Sequence, residues 1–229
     1  MKIHNTIVIF IVMLNSHPSY FLKGDSSLRI EYHYLNMKSE EDKYMKTALL
    51  LVDIQNDYFP NGKMELRNPV EASEYANQLL QHFRVNNEPI FHIQHVAIKD
   101  DATFFLPNTE GVHIHENVRP LREETVILKH YPNSFRETDL LEQLQRLDIE
   151  HVVICGMMTH MCIDATVRAA FDFGFHCTVI HDACATKDLS FKNATISAVY
   201  IHNAILASLN TTYAEILSTK EFVQRKKSF

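Results

Sequence analysis

IEHVVI–CGMMTHMC–IDATVRAAFDF, residues 149–173, is the run whose reading decides the fold. A short apolar segment enters a compact turn rich in sulfur and small residues. The turn opens into a segment with apolar residues at helical spacing. This is a strand, a tight turn and a helix, the repeating unit of a parallel α/β sheet. Cys162 falls in the first turn of the helix, where backbone N–H groups and the positive end of the helix dipole favour thiolate over thiol. The plainer alternative is a small buried hydrophobe, since free cysteine is among the most buried residue types.

The same unit recurs on either side. TALLLVDIQ (47–55) has the continuous apolar character of a strand buried on both faces, with Asp53 at its carboxyl end. In open parallel sheets, ligands bind at that edge. VEASEYANQLLQHFRVNN (70–87) predicts an amphipathic helix burying Val70, Tyr75, Leu79, Leu80 and Phe83. PIFHIQHVAI (89–98) predicts a second strand, on which His92 and His95 point to opposite faces and cannot chelate one ion. Residues 99–124 have little periodicity and read as a cover or a partner-binding arm. His113 and His115 lie there without an accompanying ligand set, so no metal site is expected. TVILKHY (125–131) is a third strand carrying Lys129, and 132–148 turns into a helix with Thr138 and Asp139 in its N-cap region and Leu140, Leu141, Leu144 and Leu147 on its buried face. HCTVIHDA (176–183) is a fifth strand, 189–210 one long helix with Ile196, Val199, Ile205, Leu206 and Leu209 in its stripe, and TYAEILST (212–219) a last short strand. The alternation predicts an α/β fold: a three-layer, doubly wound sheet of about six mainly parallel strands with helices on both faces.

Composition narrows the function. The chain has 229 residues, enough for one α/β domain. A net charge of −6 with no internal Lys/Arg block argues against nucleic-acid binding. Five scattered glycines make no phosphate-cradling loop, which excludes a dinucleotide or P-loop cofactor of the usual kind, and no other cofactor is expected. The four cysteines lack C-x-x-C spacing and read as free thiols in a reducing, cytoplasmic compartment. Residues 1–44 stand apart from the expected domain, 45–229. TIVIFIVML (6–14) resembles the apolar core of a signal peptide, yet is too short to span a bilayer and lacks a small-residue cleavage site. These residues are read as an extension or leader, with a secreted or periplasmic location if it is a working signal. The folded domain is expected to have no membrane role.

Asp53, Lys129 and Cys162 come from three strand ends on one sheet edge. An ammonium beside a thiol favours the nucleophile, and a carboxylate can take the thiol proton and return it to a leaving amine. The turn GMMT (156–159) supplies backbone N–H groups for an acyl oxyanion. Against this stands the plainer reading that Asp53 caps a loop and Lys129 is a solvated surface charge.

LLLVDIQNDYF (49–59), KHYPNSF (129–135), VICGMMTHMCIDATVRAA (153–170) and IHDACAT (180–186) occur in an order that resembles the isochorismatase-like cysteine hydrolase superfamily, including nicotinamidases, N-carbamoylsarcosine amidase and streptothricin hydrolase. The resemblance implies a catalytic triad of Asp53, Lys129 and Cys162. It also implies a cis peptide at Met157–Met158 and an oxyanion hole from the N–H groups of Met158 and Cys162. The Asp-x-His element of zinc-binding nicotinamidases is replaced by HIQHVAI (92–98), so a nicotinamidase-type metal is not expected. The implied activity is hydrolysis of a small-molecule C–N bond (amide, lactam or carbamoyl) through a thioester. The alternatives are isochorismatase-type vinyl-ether cleavage and a non-catalytic binding module. Phe59, His95, Phe104, Phe105, Tyr131 and Ser134 are the candidate substrate-pocket residues, and a homodimer or tetramer is the implied assembly.

Overall fold

A computed structural model describes residues 45–225, so the expected leader at 1–44 lies outside the described residues. The elements run β1 (Thr47–Val52), α1 (Pro69–Val85), β2 (Ile90–His95), β3 (Thr125–Lys129), α2 (Leu140–Arg146), β4 (His151–Met157), α3 (Asp164–Asp172), β5 (His176–Ala185), β6 (Leu189–Phe191), β7 (Ala194–Ile196), α4 (Ala198–Asn210), β8 (Glu215–Leu217) and α5 (Thr219–Gln224). Six of the strands form one sheet in the order β3-β2-β1-β4-β5-β8, and every pair is parallel. The chain winds outward from β1 to β3, returns to the middle at β4, and winds outward the other way. Right-handed crossovers therefore put the helices of the two halves on opposite faces. The order reverses between β1 and β4, the crevice where open α/β sheets bind ligands.

The central strands are apolar throughout because both faces are covered. Ala48 to Val52 and Val152 to Ile154 are buried without a polar interruption. The edge strand β3 alternates instead: Ile127 and Lys129 face inward, while Val126 and Leu128 are exposed. Gly156 allows β4 to approach β1 closely. It has φ 129°, and a Cβ there would stand 2.0 Å from the Val52 carbonyl oxygen. No side chain fits between β1 and β4 at that point.

Several local expectations change. Residues 189–210 are not one helix. Lys192, with φ 53°, and Asn193 turn a small antiparallel hairpin, β6–β7, and helix begins only at Ala198. Ile196 and Val199, assigned to the buried stripe, are exposed. The β-branched Thr195 and Ile196 pair as strand more readily than they wind as helix. The helix expected after the Thr138–Asp139 cap region is there, Leu140–Arg146 with Asp139 at its N-cap, but Leu147, assigned to its buried face, is exposed. Val70 is exposed at the first turn of α1. Helix α5 went unread, although Ser218 and Glu221 form a reciprocal capping box, a signal present in the sequence.

An ion pair ties the 99–124 segment back to the sheet. Arg84 donates twice to Glu124, at 2.7 and 2.8 Å, and His92 Nε2 meets the same carboxylate at 2.9 Å. Burial alone would raise the Glu124 carboxyl, but Arg84, the Leu121 N–H and His92 hold it down at about 2. A depressed carboxyl stabilises the fold above its unfolded value, and that contribution is lost as pH falls toward about 2. Glu124→Gln is therefore expected to lower stability by about 3 kcal/mol at neutral pH, with the gap from wild type closing between about pH 4 and 2, as read by chemical denaturation. Gly156→Ala is expected to unfold at least ~8 °C below wild type, or to fail to fold, because its Cβ has nowhere to go. An unchanged melting temperature would contradict the close approach of β1 and β4.

Candidate active site

The three charged or nucleophilic side chains meet at the β1/β4 crevice. Lys129 sits on the inward face of β3, next to His95 in the β2–β3 register. By regular alternation, Asp53 would pair with Gln94 rather than share a face with His95 and Lys129. Its left-handed backbone, φ 51°, breaks the alternation and turns the carboxylate toward Lys129. Lys129 Nζ lies 2.7 Å from Asp53 Oδ2, and both side chains are fully buried. Lys129 also donates to the Pro132 carbonyl at 2.9 Å. The reading of Asp53 as a loop cap and Lys129 as a solvated charge is thereby overturned.

Cys162 arrives from the other side of the crevice. The turn after β4 is a single π turn, Thr159–Ile163, rather than the start of a regular α-helix, and Cys162 is buried within it. The Met157–Met158 peptide before it is cis. Thr159 anchors the turn: its hydroxyl bonds His202 Nδ1 on α4 at 2.9 Å and the Ala185 carbonyl at 3.3 Å. One ligand atom each of Asp53, His95 and Cys162 lies within 4.8 Å of the others.

The electrostatics reverse one expectation. Burial pushes the Cys162 thiol well above its ordinary range, and the Asp53 carboxylate pushes it further; Lys129 opposes them but does not win. Cys162 is therefore held as a protonated thiol beside a carboxylate, not as the thiolate that a helix N-terminus would favour. Lys129 keeps its proton: burial would pull it down, but the Asp53 carboxylate and Cys162 raise it more.

The candidate pocket residues divide. His95 reaches the centre, and its ring is held below the usual imidazole range, first by burial. Phe105 is buried 5.7 Å from the His95 ring, with Phe104 packed on it and on Tyr58. Phe59 is buried and stacked on His115 at 3.6 Å, so it serves the cover. Tyr131 lies half-buried under the Arg136 guanidinium. Ser134 does not line the site: it is buried and bonded to Thr166 Oγ1, fastening the Lys129 loop to α3.

Two neighbours were missed. Gln55 is fully buried, accepts from the His95 N–H at 2.8 Å and donates to the His95 carbonyl at 2.9 Å, fixing the end of β2. Tyr58 is buried beside the thiol, and its phenol is raised well above its ordinary value by burial first and then by Cys162 and Asp53. Both belong to DIQNDY (53–58), where a buried polar residue in an apolar context was the available signal. A groove lined by Tyr75, His181, Cys184 and His202 lies behind the turn and includes none of the three central residues.

A six-stranded parallel sheet with a buried thiol, carboxylate and ammonium gathered at its switch point defines the class of α/β protein to which this chain belongs. The family model "Isochorismatase domain" matches residues 47–220. The chain belongs to the isochorismatase family of hydrolases. YddQ of Bacillus subtilis, an uncharacterized isochorismatase family protein, is 54% identical over 180 residues, 79% of this chain and 100% of that one. The crystal structure of an isochorismatase from Pseudomonas putida superposes with a TM-score of 0.73 at 33% identity, over 77% of this chain and 90% of that one. Streptothricin hydrolase of Streptomyces noursei is 27% identical over 168 residues, 73% of this chain and 58% of that one.

If the carboxylate holds the thiol protonated, its removal frees the sulfur. Asp53→Asn is expected to speed iodoacetamide alkylation of Cys162 at pH 8, and Lys129→Ala to slow it, relative to wild type. Peptide mass mapping of alkylation rates reads both; the opposite ordering would refute the assignment of charge.

Proposed function

We propose that this protein is a cysteine-dependent hydrolase of a small-molecule C–N bond in an amide, lactam or carbamoyl group. The observation that carries the reading is the buried Asp53–Lys129 pair with the protonated Cys162 thiol beside it. A neutral thiol next to a carboxylate base is activated only when a carbonyl carbon is presented to it. Sulfur then bonds to that carbon, the carbonyl π pair moves onto oxygen, and the thiol proton passes to Asp53. The N–H groups of Met158 and Cys162 are assigned to the oxyanion. On collapse the C–N bond breaks, and Asp53 returns its proton to the leaving nitrogen. Water attacks the thioester, giving a proton to Asp53, and the C–S bond breaks as sulfur takes that proton back. Lys129 keeps its charge throughout, holding Asp53 in place and offsetting the negative charge that moves between carboxylate and oxyanion.

Two features support acyl chemistry over vinyl-ether cleavage. The nucleophile has no part in a hydration started by protonating carbon, and burying a thiol against a carboxylate serves no purpose there. The aromatic cluster of Tyr58, Phe104 and Phe105 beside the centre suits a compact substrate with an apolar portion. His95 is a polar side chain that reaches the centre, and Gln55 fixes its backbone.

Intact-mass screening of the full chain against a library of amides and lactams is the test. The expected result is an acyl adduct on Cys162, absent in Cys162→Ala, with turnover of that compound reduced by about a thousandfold or more in the variant. Hydrolysis by Cys162→Ala at the wild-type rate would overturn the proposal.

A further inference from the structure

Asp53, His95 and Cys162 combine three donor types that share one preference. A thiolate, an imidazole and a carboxylate together select borderline-soft divalent cations, and the oxygen-only cations magnesium and calcium poorly. Around a tetrahedral zinc, with bonds of about 2.0–2.3 Å, neighbouring ligand atoms stand roughly 3.3–3.8 Å apart. Here the three atoms already lie within 4.8 Å of one another, so side-chain rotations of about an ångström close the set.

The surroundings favour the same occupant. Both Asp53 carboxylate oxygens are buried and lack a hydrogen-bond partner among the described residues, and the Lys129 ammonium stands against Oδ2 alone, 2.7 Å away as an ion pair. One carboxylate oxygen can thus turn to a cation without displacing the ammonium, which the Pro132 carbonyl also anchors. The end of β2 is fixed on both sides by the Gln55 amide, so His95 is presented from a rigid backbone. This set differs from the Asp-x-His element of the zinc-binding nicotinamidases, since it uses the nucleophile itself.

We propose that Asp53, His95 and Cys162 form a site for Zn²⁺ or a cation of similar softness, which seals the nucleophile reversibly. In binding, the S–H bond breaks, its proton leaves to solvent, and the sulfur pair forms the metal–sulfur bond. Carboxylate and thiolate together balance the cation, leaving the Lys129 charge to favour an anionic fourth ligand, hydroxide or a small carboxylate. The sealed form cannot attack a carbonyl, and a chelator restores the thiol. The proposal rests on the placement of three side chains and stands whether or not the hydrolytic reading does.

Cobalt reports sulfur ligation directly through a thiolate-to-metal absorption band. Titrating untagged full-length protein with CoCl2 is expected to give that band with one equivalent. Cys162→Ser should lose it, while His95→Ala and Asp53→Asn should each weaken binding by about tenfold or more. ZnCl2 should slow iodoacetamide alkylation of Cys162 by about tenfold or more, EDTA should reverse this, and CaCl2 should have no effect. Circular dichroism confirms that each variant is folded, and His95→Gln replaces any His95→Ala protein that is not. A band that persists in Cys162→Ser places the metal on another thiol. Wild-type affinity in both folded His95 and Asp53 variants leaves only a thiol adduct. Alkylation unaffected by ZnCl2 means that Cys162 is not a ligand. Each of these results overturns the proposal.

Discussion

The buried ion pair between Asp53 and Lys129 is the constraint from which the site follows. Two full charges inside a protein repay their lost hydration only when they are paired, and removing one partner costs about 3–5 kcal/mol because the other is stranded. The pair joins the ends of two strands that are not neighbours, β1 and β3, with β2 between them. It therefore fixes the carboxyl edge of half the sheet at once. Cys162, delivered from β4 on the far side of the switch point, meets a field already set. Its protonation follows from that field and from its own burial.

A second carboxylate does the corresponding work for the cover. Asp57 is buried, accepts from the Lys63 N–H at 3.1 Å and from the Phe105 N–H at 2.6 Å, and so binds two loops to the end of β1. Gly111 passes so near that a Cβ would stand 2.1 Å from Asp57 Oδ1. The residues between β2 and β3 have no periodic pattern because a few polar anchors hold them, not an apolar stripe. Tyr58, Phe104 and Phe105 then close over the crevice as a cluster, with the Tyr58 and Phe105 rings 4.7 Å apart.

The sheet was legible because central strands of a parallel sheet must be apolar on both faces, and few segments other than β1 and β4 meet that demand. The three central residues were legible because a strand end is a defined place. What the sequence concealed depends on angles and on burial. Nothing in a list of residues says that Asp53 adopts φ 51°, and without that turn the carboxylate would face away from Lys129. The thiol was misjudged for the same reason. A dipole is readable from a strand-to-helix transition, whereas the desolvation that outweighs it appears only once the surrounding chain is packed. Ser134 shows the reverse error: a hydroxyl beside a functional loop was taken for a ligand of the substrate, though its partner is Thr166. The hairpin at 189–196 was hidden because apolar residues spaced for a helix also occur where β-branched residues pair across a two-residue turn.

Keeping Cys162 protonated at rest has a consequence beyond turnover. Thiolates attack the O–O bond of peroxides, and the irreversible steps to sulfinic and sulfonic acid begin from the sulfenic acid so formed. Low-lying thiols are fast nucleophiles at the expense of persistence. Here burial and the Asp53 carboxylate hold the sulfur in its less oxidisable thiol form. The arrangement that withholds reactivity from the sulfur prolongs its chemical lifetime, so durability is set by burial and one carboxylate.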